Sequence, residues 1–247
     1  AKVCLEEALP LLQNAPSYTA QAYFQLAHVA LASQAHATIA ENWFLRALEL
    51  FETGELRLWS AQCHGALAQL YNQMGRLTEA GTSLLLAREI CADYDIYGLQ
   101  ADILLDSGRF ELLKGNYGVS LDYFGQAEAL YGQIGNEWMP IVCLLNQGQV
   151  YLRLGFYQRS LHYLEQAYRR LQTLNIAYRT AACEKHLAHC WLKLGQFDRV
   201  HTYLDKAAAH YKQAEQNKYL YEVYTLRAET LLLEGQTTAS PLEVCKP

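Results

Sequence analysis

The 247 residues contain seven cysteines but no CxxC pair, so no zinc-ribbon or thioredoxin-type spacing is present. The sequence has no Asn-x-Ser/Thr sequon and no signal-peptide pattern at its start. No apolar run approaches the roughly 18 residues needed to cross a bilayer, which argues against a membrane partner. The patterns G-x-G-x-x-G, G-x-x-x-x-G-K, H-E-x-x-H and G-x-S-x-G are all missing. With them go the usual signatures of dinucleotide, nucleotide-phosphate, zinc-peptidase and serine-hydrolase chemistry, and no cofactor is expected. Charge is sparse at 18% of residues, with a formal net charge of −5. That balance supplies no attraction toward nucleic acid or an anionic membrane.

What is present is a repeat. Gly75, Gly115, Gly155, Gly195 and Gly235 follow one another at a constant step, and Ala47, Ala87, Ala127, Ala167 and Ala207 keep the same step. Such self-similarity marks an array of stacked units. Apolar residues at 51% supply ample material for burial. Spacings of three and four predict helix pairs near 18–33 and 37–52, 57–73 and 77–92, 97–113 and 117–132, 138–153 and 157–173, and 177–193 and 197–213. Half repeats are expected at 2–13, weakened by Pro10, and at 217–234, with a tail over 236–247. The expected organisation is thus one array over 1–235, with repeats about 18–52, 57–92, 97–132, 138–173 and 177–213. An array that opens and closes on half a repeat, without a polar capping helix, is expected to be a piece of a longer protein.

Side-chain size explains how each pair closes. Ala68, Gly108, Gly148, Ala188 and Ala228 form a small column on the first helix. Ala80, Ser120 and Ser160 form the facing column on the second, followed four residues on by Leu84, Phe124, Leu164 and Leu204. Large residues over small ones let two helices approach closely. Cys63, Cys143 and Cys183 share another column, which makes them a buried, reduced stripe and points to a reducing, cytoplasmic compartment.

These columns resemble the tetratricopeptide repeat, whose pattern runs W-x2-L-G-x2-Y, then A-x3-F and a later alanine. One unit here reads Leu144, Gln147, Gly148, Tyr151, Ser160, Leu164 and Ala167; another reads His64, Leu67, Ala68, Tyr71, Ala80, Leu84 and Ala87. The period is longer than the usual 34 residues, and Glu52, Ala92, Gly132, Gln172 and Lys212 stand where a proline normally closes the second helix. Long repeats of this kind resemble those of spindle-orientation adaptors, of bacterial signalling regulators with a repeat-built sensor arm, and of caspase-like peptidases that carry repeats. The resemblance implies an all-α, right-handed superhelical solenoid of antiparallel helix pairs. It also implies a non-enzymatic scaffold that captures a protein or peptide segment in its concave groove, as one arm of a signalling or regulatory protein. The alternative it implies is a sensor arm that binds a small-molecule inducer and controls an attached transcription regulator or protease.

In the family the first helix of each pair lines the groove. Carried onto this sequence, the outward columns are Gln62, Gln69 and Asn72; Asp102, Asp106 and Arg109; Asn146, Gln149 and Arg153; and Lys185, His189 and Lys193. The series runs from amide through mixed charge to basic, and the expected partner site lies between about 102 and 193. Asn146, Arg153, Lys185 and Lys193 form a donor-rich strip that loosely resembles the family's clamp for a peptide carboxylate. Self-association through the two unpartnered ends is a further expectation.

Other chemistry is set aside. Cys183, His186, His189 and Cys190 lie within one helix, but they spread around it and match no standard zinc spacing. No third group marks a Cys–His pair as catalytic. The 18 tyrosines are mostly accounted for by repeat columns, with Tyr178, Tyr219 and Tyr221 expected at the groove edge. An acidic chain is a poor single-strand stacking platform, because phosphate attraction supplies most of such affinity.

Overall fold

The computed structural model describes residues 4, 7, 9–12, 15–32, 37–216 and 219–238. The described residues contain helices and turns and no strand. The chain divides into two compact units, Ala1–Asn136 and Glu137–Pro247.

The first unit contains α1 (Pro16–Ala32), α2 (Ala37–Thr53), α3 (Arg57–Met74), α4 (Leu77–Cys91), α5 (Tyr97–Lys114) and α6 (Tyr117–Gln133). Ahead of them Leu9–Leu12 is a 3-10 turn. Pro10 lacks the N–H that an α-helix would need there. Thr19 ties this turn down by donating its hydroxyl to the Leu12 carbonyl at 2.8 Å. Cys4 and Glu7 are helical, and the rest of the expected 2–13 helix lies outside the described residues. The second unit contains α7 (Met139–Arg153), α8 (Tyr157–Leu174), α9 (Ala177–Lys193), α10 (Phe197–Gln213) and α11 (Leu220–Thr238).

Gly75, Gly115, Gly155 and Gly195 adopt left-handed φ values of 69 to 82°. After each glycine the next N–H bonds back to the last helical turn: Arg76 to Tyr71, Asn116 to Glu111, Phe156 to Tyr151 and Gln196 to Trp191. This closes the orphan carbonyls of each first helix and reverses the chain. Gly235 departs from the expectation, because α11 runs through it to Thr238. Glycine permits the left-handed turn without forcing it. At the other four positions a second helix packs back on the first, and among the described residues none follows α11.

The columns pack as their sizes require. A Cβ at Gly108 would lie 2.5 Å from Phe124, and one at Gly148 would lie 2.7 Å from Leu164. Ser120 and Ser160 donate their hydroxyls to the Gly108 and Gly148 carbonyls, each at 2.7 Å. Cys63 and Cys183 are fully buried, with their sulfurs against the carbonyls of Phe44 and Leu164. Phe51, Cys91, Tyr131, Leu171 and Tyr211, one per repeat, are all buried at the end of the second helices. Each large member of that column contributes about 2 kcal/mol of apolar burial. No helix among the described residues is long and apolar enough to cross a membrane.

Candidate functional site

The outward columns of the first helices fare differently in the folded chain. In the first unit, Asn72 holds both its amide oxygen and nitrogen buried with no protein hydrogen-bond partner, so it does not present its amide to a groove. Gln62 and Gln69 are half-buried. Asp102, which is exposed, accepts a hydrogen bond from the Tyr131 hydroxyl. Asp106 pairs with Arg109 at 2.9 Å. Burial pushes the Asp106 carboxyl up to about 6, against the pull of Arg109, with Asp102 adding like-charge repulsion.

In the second unit Asn146 is only 8% exposed, and it donates its amide to the Val142 carbonyl at 2.8 Å. A short polar side chain in mid-helix turns back on the preceding turn in this way, which removes Asn146 from the expected donor strip. Gln149 is half-buried and Arg153 exposed.

Lys185 and His189 do line a cleft, of about 290 Å³, together with His186 and with Tyr221, Glu222 and Glu229 of α11. Lys185 is ion-paired with Glu222, and Lys193 with Glu229 at 3.2 Å. The expected row of open basic donors is therefore a row of cross-helix ion pairs. Both histidines are held neutral. His186 is pushed down to about 3 by burial and then by Lys185, His189 and Arg153. His189 is lowered by burial and by Lys193, with Glu229 opposing. The cleft thus offers neutral imidazoles, a phenol and paired charges of both signs, a surface suited to hydrogen bonding with a polar segment.

Glu222 and Glu229 were missed, yet the signal was present: one more repeat step from Gln149 and His189 lands on Glu229. A buried carboxylate was missed as well. Glu184 is fully buried, accepting from the Tyr168 hydroxyl at 3.1 Å and bonded to His210 Nδ1 at 2.7 Å. Burial raises its carboxyl, and His210 and Tyr168 pull the other way. Its column otherwise holds Phe24, His64, Leu104, Leu144 and Tyr224, so a carboxylate there is the departure that marks it. Cys183 and Cys190 face carbonyl and hydroxyl partners in the core. No group of three or more metal-ligating side chains occurs among the described residues.

No protein-family model matches the sequence. No curated protein matches it. Solved structures do. An archaeal signal-transduction ATPase with numerous domains and a tetratricopeptide repeat sensor, from Pyrococcus horikoshii, superposes with a TM-score of 0.71 at 17% identity over 96% of this chain. The fold is that of a tetratricopeptide-type helical repeat. The tetratricopeptide-type chain also superposes on aspartyl phosphate phosphatase F of Bacillus subtilis, with a TM-score of 0.73 at 17% identity over 90% of this chain. BtubC of P. vanneervenii gives 0.68 at 20% identity, covering 87% of this chain and 89% of its own. The chain spans 38% of the archaeal protein and 59% of the phosphatase.

Proposed function

We propose that this tetratricopeptide-type chain is a non-enzymatic protein- or peptide-binding scaffold, one arm of a signalling or regulatory protein, and that the α9–α11 cleft receives a segment of its partner. The observation that carries the proposal is the cleft itself. Two adjacent first helices bring Lys185, His189, Tyr221, Glu222 and Glu229 to one concavity. Rigid stacked helices keep such a site pre-organised and limit the entropy lost on binding. The internal ion pairs argue for a segment of mixed charge, since a purely acidic one would have to displace Glu222 and Glu229. Similarity to a protein with a repeat-built sensor supports the regulatory side of the proposal.

The test is an array of short peptides of varied charge pattern, followed by fluorescence anisotropy on the hits. Mixed-charge peptides should bind, and Lys185→Glu with Lys193→Glu should weaken them at least tenfold. An array with no binder above background, or hits indifferent to both substitutions, would sink the proposal.

Self-association through α11 is a second reading with its own observation. Leu232, Leu231 and Tyr224 are 68%, 56% and 48% exposed. Light scattering should then show mass rising with concentration, and Leu231→Glu with Leu232→Glu should abolish the rise. Constant mass would remove this reading and leave the peptide site standing.

A further inference from the structure

A second cleft lies in the first unit, and a single column explains why it exists. Phe51, Tyr131, Leu171 and Tyr211 fill the buried position at the end of the second helices, and at the corresponding place α4 has only Cys91. The missing bulk leaves a cleft of about 320 Å³ between α4, α5 and α6. Ile103, Leu104 and Leu130 wall it. The adjoining loop also departs from its counterparts. Glu55, Gly135, Asn175 and Glu215 take left-handed φ values at that point in the other repeats, whereas Asp95 does not. Gln100 closes the α4 end instead, donating to the Tyr94 carbonyl at 2.8 Å and the Cys91 carbonyl at 3.4 Å.

Arg88 is the charged residue lining the cleft, and the lining Gln126 donates its amide to the Asp122 carboxylate at 2.8 Å. Arg88 and Cys91 are one turn apart on α4, and both line the cleft. The Arg88 guanidinium donates to the Tyr123 hydroxyl at 2.9 Å and lies 5.6 Å from that ring's centroid. Tyr123 on α6 therefore orients the guanidinium. No carboxylate among the described residues pairs with Arg88, whereas Arg57, Arg76 and Arg109 in the same unit each have one; Arg46 lies over the Tyr23 and Trp43 rings. A guanidinium fork recognises a carboxylate by two parallel hydrogen bonds. An apolar concavity with one placed charge is the usual build of a small-ligand site.

We propose that this cleft binds a small monocarboxylic acid, its aliphatic or aromatic body in the space left by Cys91 and its carboxylate on Arg88. None of the residues involved belongs to the α9–α11 cleft, so the outcome of the peptide experiments does not bear on it.

The probe is octanoate, titrated into the full chain by isothermal calorimetry and by NMR of labelled protein, with octanol as the uncharged control. Octanoate should bind saturably and at least tenfold more tightly than octanol. Arg88→Gln should erase that preference. Cys91→Phe, which restores the column's usual bulk, should abolish octanoate binding while the circular dichroism spectrum stays helical. Should Cys91→Phe fail to fold, Cys91→Leu, which copies the side chain of Leu171, serves in its place. An absence of saturable binding, equal affinity for octanol, or binding that survives the filled cleft would each overturn the proposal.

Discussion

Ser160 donates its hydroxyl to the Gly148 carbonyl at 2.7 Å, twelve residues back across the helix pair. Ser120 and Gly108 repeat the relationship at the same distance. Where the first column holds Ala68 or Ala188 in place of glycine, the facing residue is Ala80 or Val200, with no hydroxyl to place. Glycine and serine therefore go together: the missing Cβ allows the close approach, and the serine uses it.

Gly148→Ala brings a methyl to 2.7 Å from Leu164, and should cost about 1–3 kcal/mol by overpacking. Adding Ser160→Val reproduces the Ala188–Val200 pairing of another repeat. The double variant should lose less than the sum of the two singles, with a coupling of at least about 0.5 kcal/mol in a double-mutant cycle of urea melts. Strict additivity would show that the two positions are not matched.

Asn72 stands in the column of Leu112, Leu152 and Leu192, with both amide atoms buried and without a protein partner. A buried amide in that state costs about 1–3 kcal/mol. Asn72→Leu should therefore raise stability by about 1–2 kcal/mol, seen as a higher urea midpoint with an unchanged slope. A lower midpoint would mean that the amide has a partner in solution, such as an ordered water.

The fold was legible because packing between repeats depends on side-chain size, and size recurs in the sequence. The glycine and alanine columns placed the helices α1 to α10 near their observed limits. The turn at Gly235 failed for a reason no column shows: a left-handed glycine needs a helix to fold back, and α11 has none among the described residues. The left-handed positions of Glu55 and Glu215 went unseen because glutamate does not advertise that conformation. At the candidate site, the column reading named Lys185 and His189, which line a cleft, but took the lysines as open donors. Their ion pairs are made between helices a full repeat apart, and residue type on one helix does not reveal what the next one offers. Asn146 was misplaced because exposure was judged from polarity, while its amide is satisfied inside its own helix.

Asp106 makes the first unit sensitive to pH. Burial lifts its carboxyl to about 6, whereas an unfolded aspartate titrates near about 3.9. The folded protein thus holds this proton more tightly than the unfolded chain. Its contribution to stability is fully present below about pH 4 and is lost as pH rises through about 6. Asp106→Asn keeps the shape and removes the charge. It should be more stable than the parent at pH 8, by about 1–2 kcal/mol, and the advantage should vanish by pH 4. Urea melts at the two pH values give the difference directly; an advantage independent of pH would exclude Asp106 as its source.

Glu184 poses the sharpest question about buried polarity in the second unit. It is fully buried, yet Leu104 and Leu144 hold its place in other repeats, so the fold itself does not require a carboxylate. Glu184→Leu alone strands the Tyr168 hydroxyl and the His210 imidazole, which now bond to it at 3.1 and 2.7 Å. Breaking one side of a buried pair is costly, and about 2–3 kcal/mol is expected here because His210 can still reach water. His210 itself stands in the column of Leu50, Ile90, Leu130 and Arg170, apolar in three of those four repeats. Glu184→Leu with His210→Leu should therefore recover most of the loss, since an apolar replacement of a buried polar pair is often neutral or stabilising. Recovery in the thermal melt would mean that the pair is not retained for stability, leaving specificity of packing or a partner contact as its role. If the double variant is as unstable as the single one, the loss comes from Tyr168, and adding Tyr168→Phe should then restore the melt.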